Sequence, residues 1–316
     1  MKRLRLALCP WVVVGLAAVA CGDAADPFSA PRASPTAVGS VESEVFGATA
    51  TGGKIIVSRL DSVGGDYNIF RVNAADGSGL KKLTKHPANE LEPAYAPGGG
   101  RILFSSNRTG KYQIWIMFSD GTAWNRLTNS SGNDYQPAWA PDGYGWAYTS
   151  DRDGNEEIYD RAKRNLTTNP ARDFYPDYSP DGTKIAFTSS RDGNLNIYVM
   201  NADGSNPTQL TSDPQDDFDP EWSPDGSRIA FVSVRSRFNN RIFVMNPDGS
   251  QQTPLTGLQF SDWNPAWSPD MSEIAVSRYI VSSGRFELWA IKADGSGQAR
   301  LISNGGIVNS SPSWKP

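Results

Sequence analysis

Three residues before the first proline of a recurring Pro-x-aromatic-small-Pro motif, the chain carries an acid or its amide: Glu90, Asp134, Asp173, Asp217, Asp262 and Asn309. Carboxylates about 5 to 10 Å apart act as general acid and base in glycoside hydrolysis, and a cleft lined by one sign of charge concentrates the opposite one. Arginines recur beside them: Arg108, Arg152, Arg191 and Arg235 each lie four residues past an aromatic in the next apolar run. In the remaining two copies Ile280 accompanies Asp262 and Asp61 accompanies Asn309. Two readings follow. Either acid and arginine pair to lock each repeat, or together they form a polar funnel that receives a charged peptide or partner loop. On both, Asp262 lacks an arginine and is the most available acid.

Other chemistry is poorly supplied. One histidine, His86, and two cysteines, Cys9 and Cys21, leave little for zinc sites or for Ser-His and Cys-His nucleophiles. No G-x-S-x-G elbow occurs. His86 sits in a Lys-His-Pro loop where other copies have Asn169 and Asp213, as a surface residue would. Asp151 to Asn155 echoes a calcium loop but lacks the later glutamate. No metal and no cofactor are therefore expected. Thirty Lys and Arg against 34 Asp and Glu give a net charge of -4, without the basic excess on which nucleic-acid binding depends.

The elements that must position these residues repeat along the chain. The motif begins at Pro93, Pro137, Pro176, Pro220, Pro265 and Pro312, at spacings of 44, 39, 44, 45 and 47 residues. Each internal copy is followed by a turn and an apolar run, starting at Ile102, Trp146, Ile185, Ile229 and Ile274. A third run follows, and a short fourth ends in Leu-Thr at Leu83, Leu127, Leu166, Leu210 and Leu255. Four short strands in about 44 residues is the pattern of a β-propeller blade. The motif aromatics Tyr95, Trp139, Tyr178, Trp222, Trp267 and Trp314 then read as core between blades.

Turn chemistry agrees, with two exceptions. A Pro-Asp-Gly turn joins the first two strands, but Met271 replaces its glycine in one copy. A side chain in the left-handed region costs about 1 to 2 kcal/mol, so that turn is expected to be strained or rearranged. A second turn, Asp-Gly, recurs at Asp76, Asp120, Asp203, Asp248 and Asp294. One repeat lacks it: 8 residues separate Ile158 from Leu166, against 13 between Ile197 and Leu210. Its outer hairpin should be stunted. The chain ends in a first strand without a second, while residues 52–57 form a second strand without a first. The C-terminal strand is thus expected to complete the N-terminal blade, closing an all-β, six-bladed propeller over residues 52–316 and removing open edges.

The N-terminus carries an address. Lys2, Arg3 and Arg5 precede an apolar run ending in Ala18-Val19-Ala20, so residues 1–20 read as a secretory signal. Leu16 to Cys21 resembles a bacterial lipobox, with Ala18 where Leu is most frequent. Acylation at Cys21 and plain secretion therefore both stay open. Acyl chains would anchor the protein rather than span the bilayer. In a Gram-negative envelope, the absence of Asp after Cys21 suggests the outer membrane. Residues 21–51, rich in Ala, Ser, Pro, Thr and Gly, read as a flexible tether of roughly 30 Å r.m.s. span. Losing residues 1–20 removes three cations, giving -7, and Cys9, so the mature chain forms no internal disulfide.

The segments PEWSPDGSRIAFVS and PDYSPDGTKIAFTSSRDGNLNIYVMNADGSNPTQLT resemble the propeller repeats of the TolB family, and the resemblance covers residues 52–316. It leaves out the α/β domain that precedes the propeller in TolB, so that domain's role is not carried over. The resemblance implies a cell-envelope binding scaffold, periplasmic or membrane-anchored, whose partner is an envelope protein or peptide. A monomer without nucleic-acid partners is expected. The rival expectation is a carbohydrate-active hydrolase or lyase using the mouth carboxylates.

Overall fold

A computed structural model describes residues 53–60, 65–235, 239–302 and 309–316. The signal, Cys21, the tether and Asp61 lie outside the described residues, and of Asn309 only the backbone is described.

The chain enters with β1 (Lys54–Leu60), β2 (Tyr67–Asn73) and β3 (Lys81–Lys82). Blade 1 follows as β4 (Glu90–Tyr95), β5 (Arg101–Ser106), β6 (Gln113–Phe118) and β7 (Asn125–Arg126). Blade 2 has β8 (Asp134–Trp139), β9 (Trp146–Ser150) and β10 (Glu157–Asp160). Blade 3 has β11 (Asp173–Tyr178), β12 (Lys184–Ser189), β13 (Asn196–Asn201) and β14 (Thr208–Gln209). Blade 4 has β15 (Asp217–Trp222), β16 (Ile229–Ser233), β17 (Arg241–Met245) and β18 (Thr253–Pro254). Blade 5 has β19 (Ser261–Trp267), β20 (Glu273–Ile280), β21 (Arg285–Lys292) and β22 (Gln298–Ile302). The last strand, β23 (Asn309–Trp314), pairs antiparallel with β1, Ile55 opposite Trp314, and gives the closing blade the order β23-β1-β2-β3. The six-bladed ring is therefore closed by its C-terminus.

The second strands are buried between their ends, because each sheet packs a neighbour on both faces. Ile102, Leu103 and Phe104 are inaccessible, as are Ile185, Ala186 and Phe187, and Ile229, Ala230 and Phe231. Core clusters cross the seams: Trp222 of blade 4 packs with Ala186 of blade 3, and Trp314 with Ala266 and Ala275 of blade 5. The motif aromatics thus belong to the core between blades. The Leu-Thr ending has its own reason. Thr84, Thr128, Thr211 and Thr256 accept the backbone N–H of Ile69, Ile114, Ile197 and Ile242, fixing the outer loop to the third strand.

Both irregular repeats behave as their sequences imply. Met271 keeps the hairpin turn, its N–H bonded to the Ser268 carbonyl at 2.9 Å, at φ 61°. The turn is strained and not rearranged, and Met271 rests on the blade 4–5 core. Blade 2 has three strands, with only a single bridge from Tyr159 to Asn165 beyond β10.

Every innermost strand is broken at the same place. The ladder shifts register between Leu91 and Ala94, Tyr135 and Ala138, Phe174 and Asp177, Phe218 and Glu221, and Trp263 and Ala266. The motif proline has no N–H for the ladder, which confines it to edges and bulges. The residue before it lies in the left-handed region: Glu92, Gln136, Tyr175, Asp219, Asn264 and Ser311 have φ between 49° and 58°. These six are half of the twelve non-glycine residues with positive φ among the described residues, and strained conformations of this kind cluster at functional sites.

Candidate functional site

The acids three residues before each proline start the innermost strands, where each faces a residue of the second strand. Glu90, Asp134, Asp173 and Asp217 stand opposite Ser106, Ser150, Ser189 and Ser233. The following loop brings an arginine back over each pair. Arg108 binds Glu90 at 2.6 Å, Arg152 binds Asp134 at 2.9 Å, Arg191 binds Asp173 at 3.0 Å and Arg235 binds Asp217 at 2.5 Å. The arginines also stack on third-strand rings, Arg152 over Tyr159 at 4.2 Å and Arg191 over Tyr198 at 4.5 Å. All four acids are wholly inaccessible. Burial pushes the carboxyls of Glu90, Asp173 and Asp217 up, and hydrogen bonds and the arginine draw each back. This is the geometry of blade locks.

The expectation that Asp262 lacks an arginine is corrected here. Arg278 donates from Nε to Asp262 Oδ1 at 2.6 Å and from Nη2 to Oδ2 at 2.9 Å, and both side chains are fully buried. The reason is a change of register. Arg278 is the cross-strand partner of Asp262, the place serine holds in the other repeats, so the cation rises from β20 itself and not from the loop where Ile280 lies. Arg59 takes the same place opposite Asn309. The signal was present as two arginines, each two residues earlier than the loop position.

The other singled-out residues fall at the surface or in local bonds. His86 is exposed. Asp151 accepts the backbone and side-chain N–H of Asn133 at 2.6 and 2.8 Å, and Asp153 accepts from the Tyr159 hydroxyl, so that loop's carboxylates are engaged. Among the described residues no group of three or more His, Cys, Asp or Glu converges as a metal site. No helix among them is long and apolar enough to cross a membrane.

What faces the axis is a different set. A cavity of about 370 Å³ is lined by the motif from its left-handed residue to its last proline, and thus reaches the face of the Pro-Asp-Gly turns through Pro97, Pro141, Pro180 and Pro316. Its walls hold two polar tiers. The residues before the first proline include Glu92, Gln136, Tyr175, Asp219 and Asn264, and those after it include Asp177 and Glu221. No Lys, Arg or His is among its lining residues. The bulge is what aims them: it turns the pre-proline side chain out of the sheet toward the axis.

These groups also stitch the blades. Glu92 accepts the Gln136 N–H at 2.7 Å and the Ser105 hydroxyl at 2.5 Å; the Gln136 side chain accepts the Tyr175 N–H at 3.1 Å. Asp177 accepts the Trp222 N–H at 2.7 Å, Glu221 the Trp267 N–H at 3.2 Å, and Asp219 the Asn264 amide at 2.9 Å. With no cation beside them, burial dominates their ionisation. It pushes Asp177 and Asp219 up to about 7, each drawn back in part by its hydrogen bonds. Glu92 is raised by burial, and Glu221 is raised well above its ordinary value by burial and then by the neighbouring Asp177. Such a cavity can hold a cation, which repays the desolvation of the carboxylates. Its raised carboxyls could also donate protons, but no nucleophile of the Ser-His or Cys-His type accompanies them. Sequence reasoning missed this tier; its trace was a polar residue before five of the six motif prolines, with Tyr175 the exception.

Residues 160–316 match the family model described as the TolB beta propeller domain. No curated protein matches the chain. Among solved structures it is similar to TolB from Acinetobacter baumannii at 24% identity and TM-score 0.71, over 84% of this chain and 67% of that one. A putative TolB from Agrobacterium tumefaciens follows at 18% identity and TM-score 0.66, over 84% and 100%. Hydrazine synthase of Kuenenia stuttgartiensis reaches TM-score 0.69 at 16% identity, over 84% and 47%. The chain carries a TolB-like six-bladed propeller, and likeness at these identities concerns the fold, which hosts unrelated functions.

Proposed function

Taking a TolB-like propeller with an acidic axial cavity as the premise, we propose that this chain is an extracytoplasmic binding module that receives a cationic segment of an envelope protein. The observation that carries it is the cavity itself: Glu92, Asp177, Asp219 and Glu221 on its walls, with no cationic residue lining it. A lysine or arginine side chain satisfies those carboxylates, and the described residues offer no cluster of metal ligands there. The sequence of residues 1–51 supports export, acylation at Cys21 and a tether that lets a monomeric propeller stand off the membrane.

The test is a titration of the purified full chain with short synthetic peptides carrying lysine or arginine, against glutamate counterparts. Asp177→Asn together with Glu221→Gln should weaken the cationic peptides at least tenfold while leaving the melting temperature unchanged or higher. Equal affinity in that variant would remove the cavity as the site. Cys21→Ala should move the protein from the membrane fraction to the soluble one.

A further inference from the structure

Five blades end their third strand in an Asp-Gly turn whose glycine lies against the outer leucine of the preceding blade. A Cβ on Gly121 would come within 2.6 Å of the Leu83 carbonyl oxygen, and one on Gly204 or Gly249 within 2.5 Å of that of Leu166 or Leu210. Gly77 and Gly295 lie against Leu301 and Leu255 in the same way. The turn brings an acid with it, and in two of the five a cation on the preceding blade favours its charged form: Arg164 for Asp203 and Lys81 for Asp120.

Blade 2 is short by five residues just there. β10 stops at Asp160, and the chain turns back through Arg161-Ala162-Lys163-Arg164. Among the described residues of blade 2 no turn covers Leu127, the outer leucine of blade 1. A cavity of about 360 Å³ opens in its place, lined by Ile116, Phe118, Leu127, Trp139, Tyr144 and Trp146, with Arg101 and Arg161. Trp146, one of these lining residues, stands where the other internal repeats have isoleucine. Phe118 and Tyr144 remain 49% and 72% exposed, two of the few large apolar side chains that are.

The seam is also cationic. No acid lines it. Arg101 and Arg161 are the cations that line it, both exposed, on a chain of net charge -4. The nearby acids are engaged: Asp142 accepts the Tyr144 and Gly145 N–H groups and Asp160 pairs with Arg164.

We propose that this seam is a second docking site, which takes an acidic, turn-forming segment of a partner protein. The other five blades show the shape of the occupant. Its glycine-containing turn covers Leu127, its carboxylate meets Arg101 and Arg161, and an apolar side chain lies between Phe118 and Tyr144. The site is separate from the axial cavity, so neither stands or falls with the other.

The probe is a fluorescently tagged synthetic peptide copying residues 199–209 of this chain, the turn that blade 2 lacks, followed by anisotropy with the full chain up to about 1 mM. Saturable binding is expected. It should weaken at least tenfold for a peptide carrying Asp203→Lys, for the exposed double variant Arg101→Glu with Arg161→Glu, and for a chain in which residues 161–165 are replaced by a copy of residues 200–209. Asp177→Asn with Glu221→Gln should leave it unchanged. No saturation, or binding indifferent to charge reversal at the seam, overturns the proposal. So does dimerisation in sedimentation that is lost in the double variant while the peptide fails to bind. Arginine-dependent binding to phosphatidylglycerol vesicles without peptide binding overturns it in favour of a lipid surface.

Discussion

Replacing Arg278 by methionine tests how the buried pair in blade 5 holds the ring. The guanidinium gives two bonds to Asp262, a third to Gln298 Oε1 at 2.6 Å, and stacks on Phe260 at 3.6 Å and Trp289 at 4.7 Å. Neither charged side chain touches water. Methionine keeps much of the stacking volume but leaves the Asp262 carboxylate buried without a counter-charge, which costs roughly 3 to 5 kcal/mol. At roughly 2 to 4 °C per kcal/mol for a large domain, the melting temperature should fall by roughly 10 °C.

The pH dependence identifies the cause. Burial already pushes the Asp262 carboxyl up, and Arg278 draws it back. Without the arginine its folded-state value rises further above that of the unfolded chain. The folded state then holds a proton the unfolded state releases, so stability falls as pH rises from the unfolded value, about 4, through the folded one. The deficit of Arg278→Met should therefore be larger at pH 8 than at pH 5. Adding Asp262→Leu removes the stranded charge and should restore most of the loss and erase its pH dependence, because apolar replacement of a whole buried pair is often close to neutral. Urea unfolding and calorimetry at pH 5 to 8 read all three chains. A variant that melts within about 2 °C of the parent at pH 8, or a deficit independent of pH, would refute the reasoning.

Removing residues 312–316 should lower the melting temperature by more than roughly 10 °C, since it takes the buried Trp314 and strips β1 of its partner; calorimetry showing no change would remove ring closure as a source of stability. Gly204→Ala should cost clearly more than Gly143→Ala in urea unfolding. Both glycines are left-handed, at φ 89° and 69°, but only at Gly204 would the new Cβ strike a backbone oxygen, at 2.5 Å, and equal costs would show that this approach is unimportant. The axial carboxyls are raised, so protonating them favours the fold: stability should increase as pH falls from 8 toward 5, while cationic peptides bind more weakly. Asp177→Asn with Glu221→Gln should flatten both trends, and unfolding and binding curves at four pH values check it.

Much of this protein was legible because its information is local and repeated. The Pro-x-aromatic-small-Pro spacing, the Leu-Thr endings and the missing Asp-Gly turn each specify a strand, a loop cap or a shortened blade without reference to the rest of the chain. The unmatched first and last strands gave the closure of β23 on β1. The acid and arginine series left two readings open, blade-locking pairs or a polar funnel, and four of its acids stand in ion pairs with their arginines. It failed at Asp262, because loop position was used to find its partner while the ladder register decided it: Arg278 lies opposite Asp262 where other repeats have serine.

The candidate site was not legible for a related reason. Along a strand, alternate residues face alternate sides, so a reading by alternation assigns Glu92, Asp219 and Asn264 to a sheet face like any other. The proline after each removes a ladder donor, the strand bulges, and the pre-proline residue turns left-handed toward the axis. Whether that direction meets solvent, a neighbouring blade or a shared void depends on six bulges converging from strands as far apart in sequence as Glu92 and Ser311. By itself the sequence determined the blades, their count and their irregularities, which depend on short-range pattern and turn chemistry. Only the closed tertiary ring decided which carboxylates are neutralised within a blade and which confront one another across a cavity without a cation, because burial and charge pairing are properties of the assembled ring.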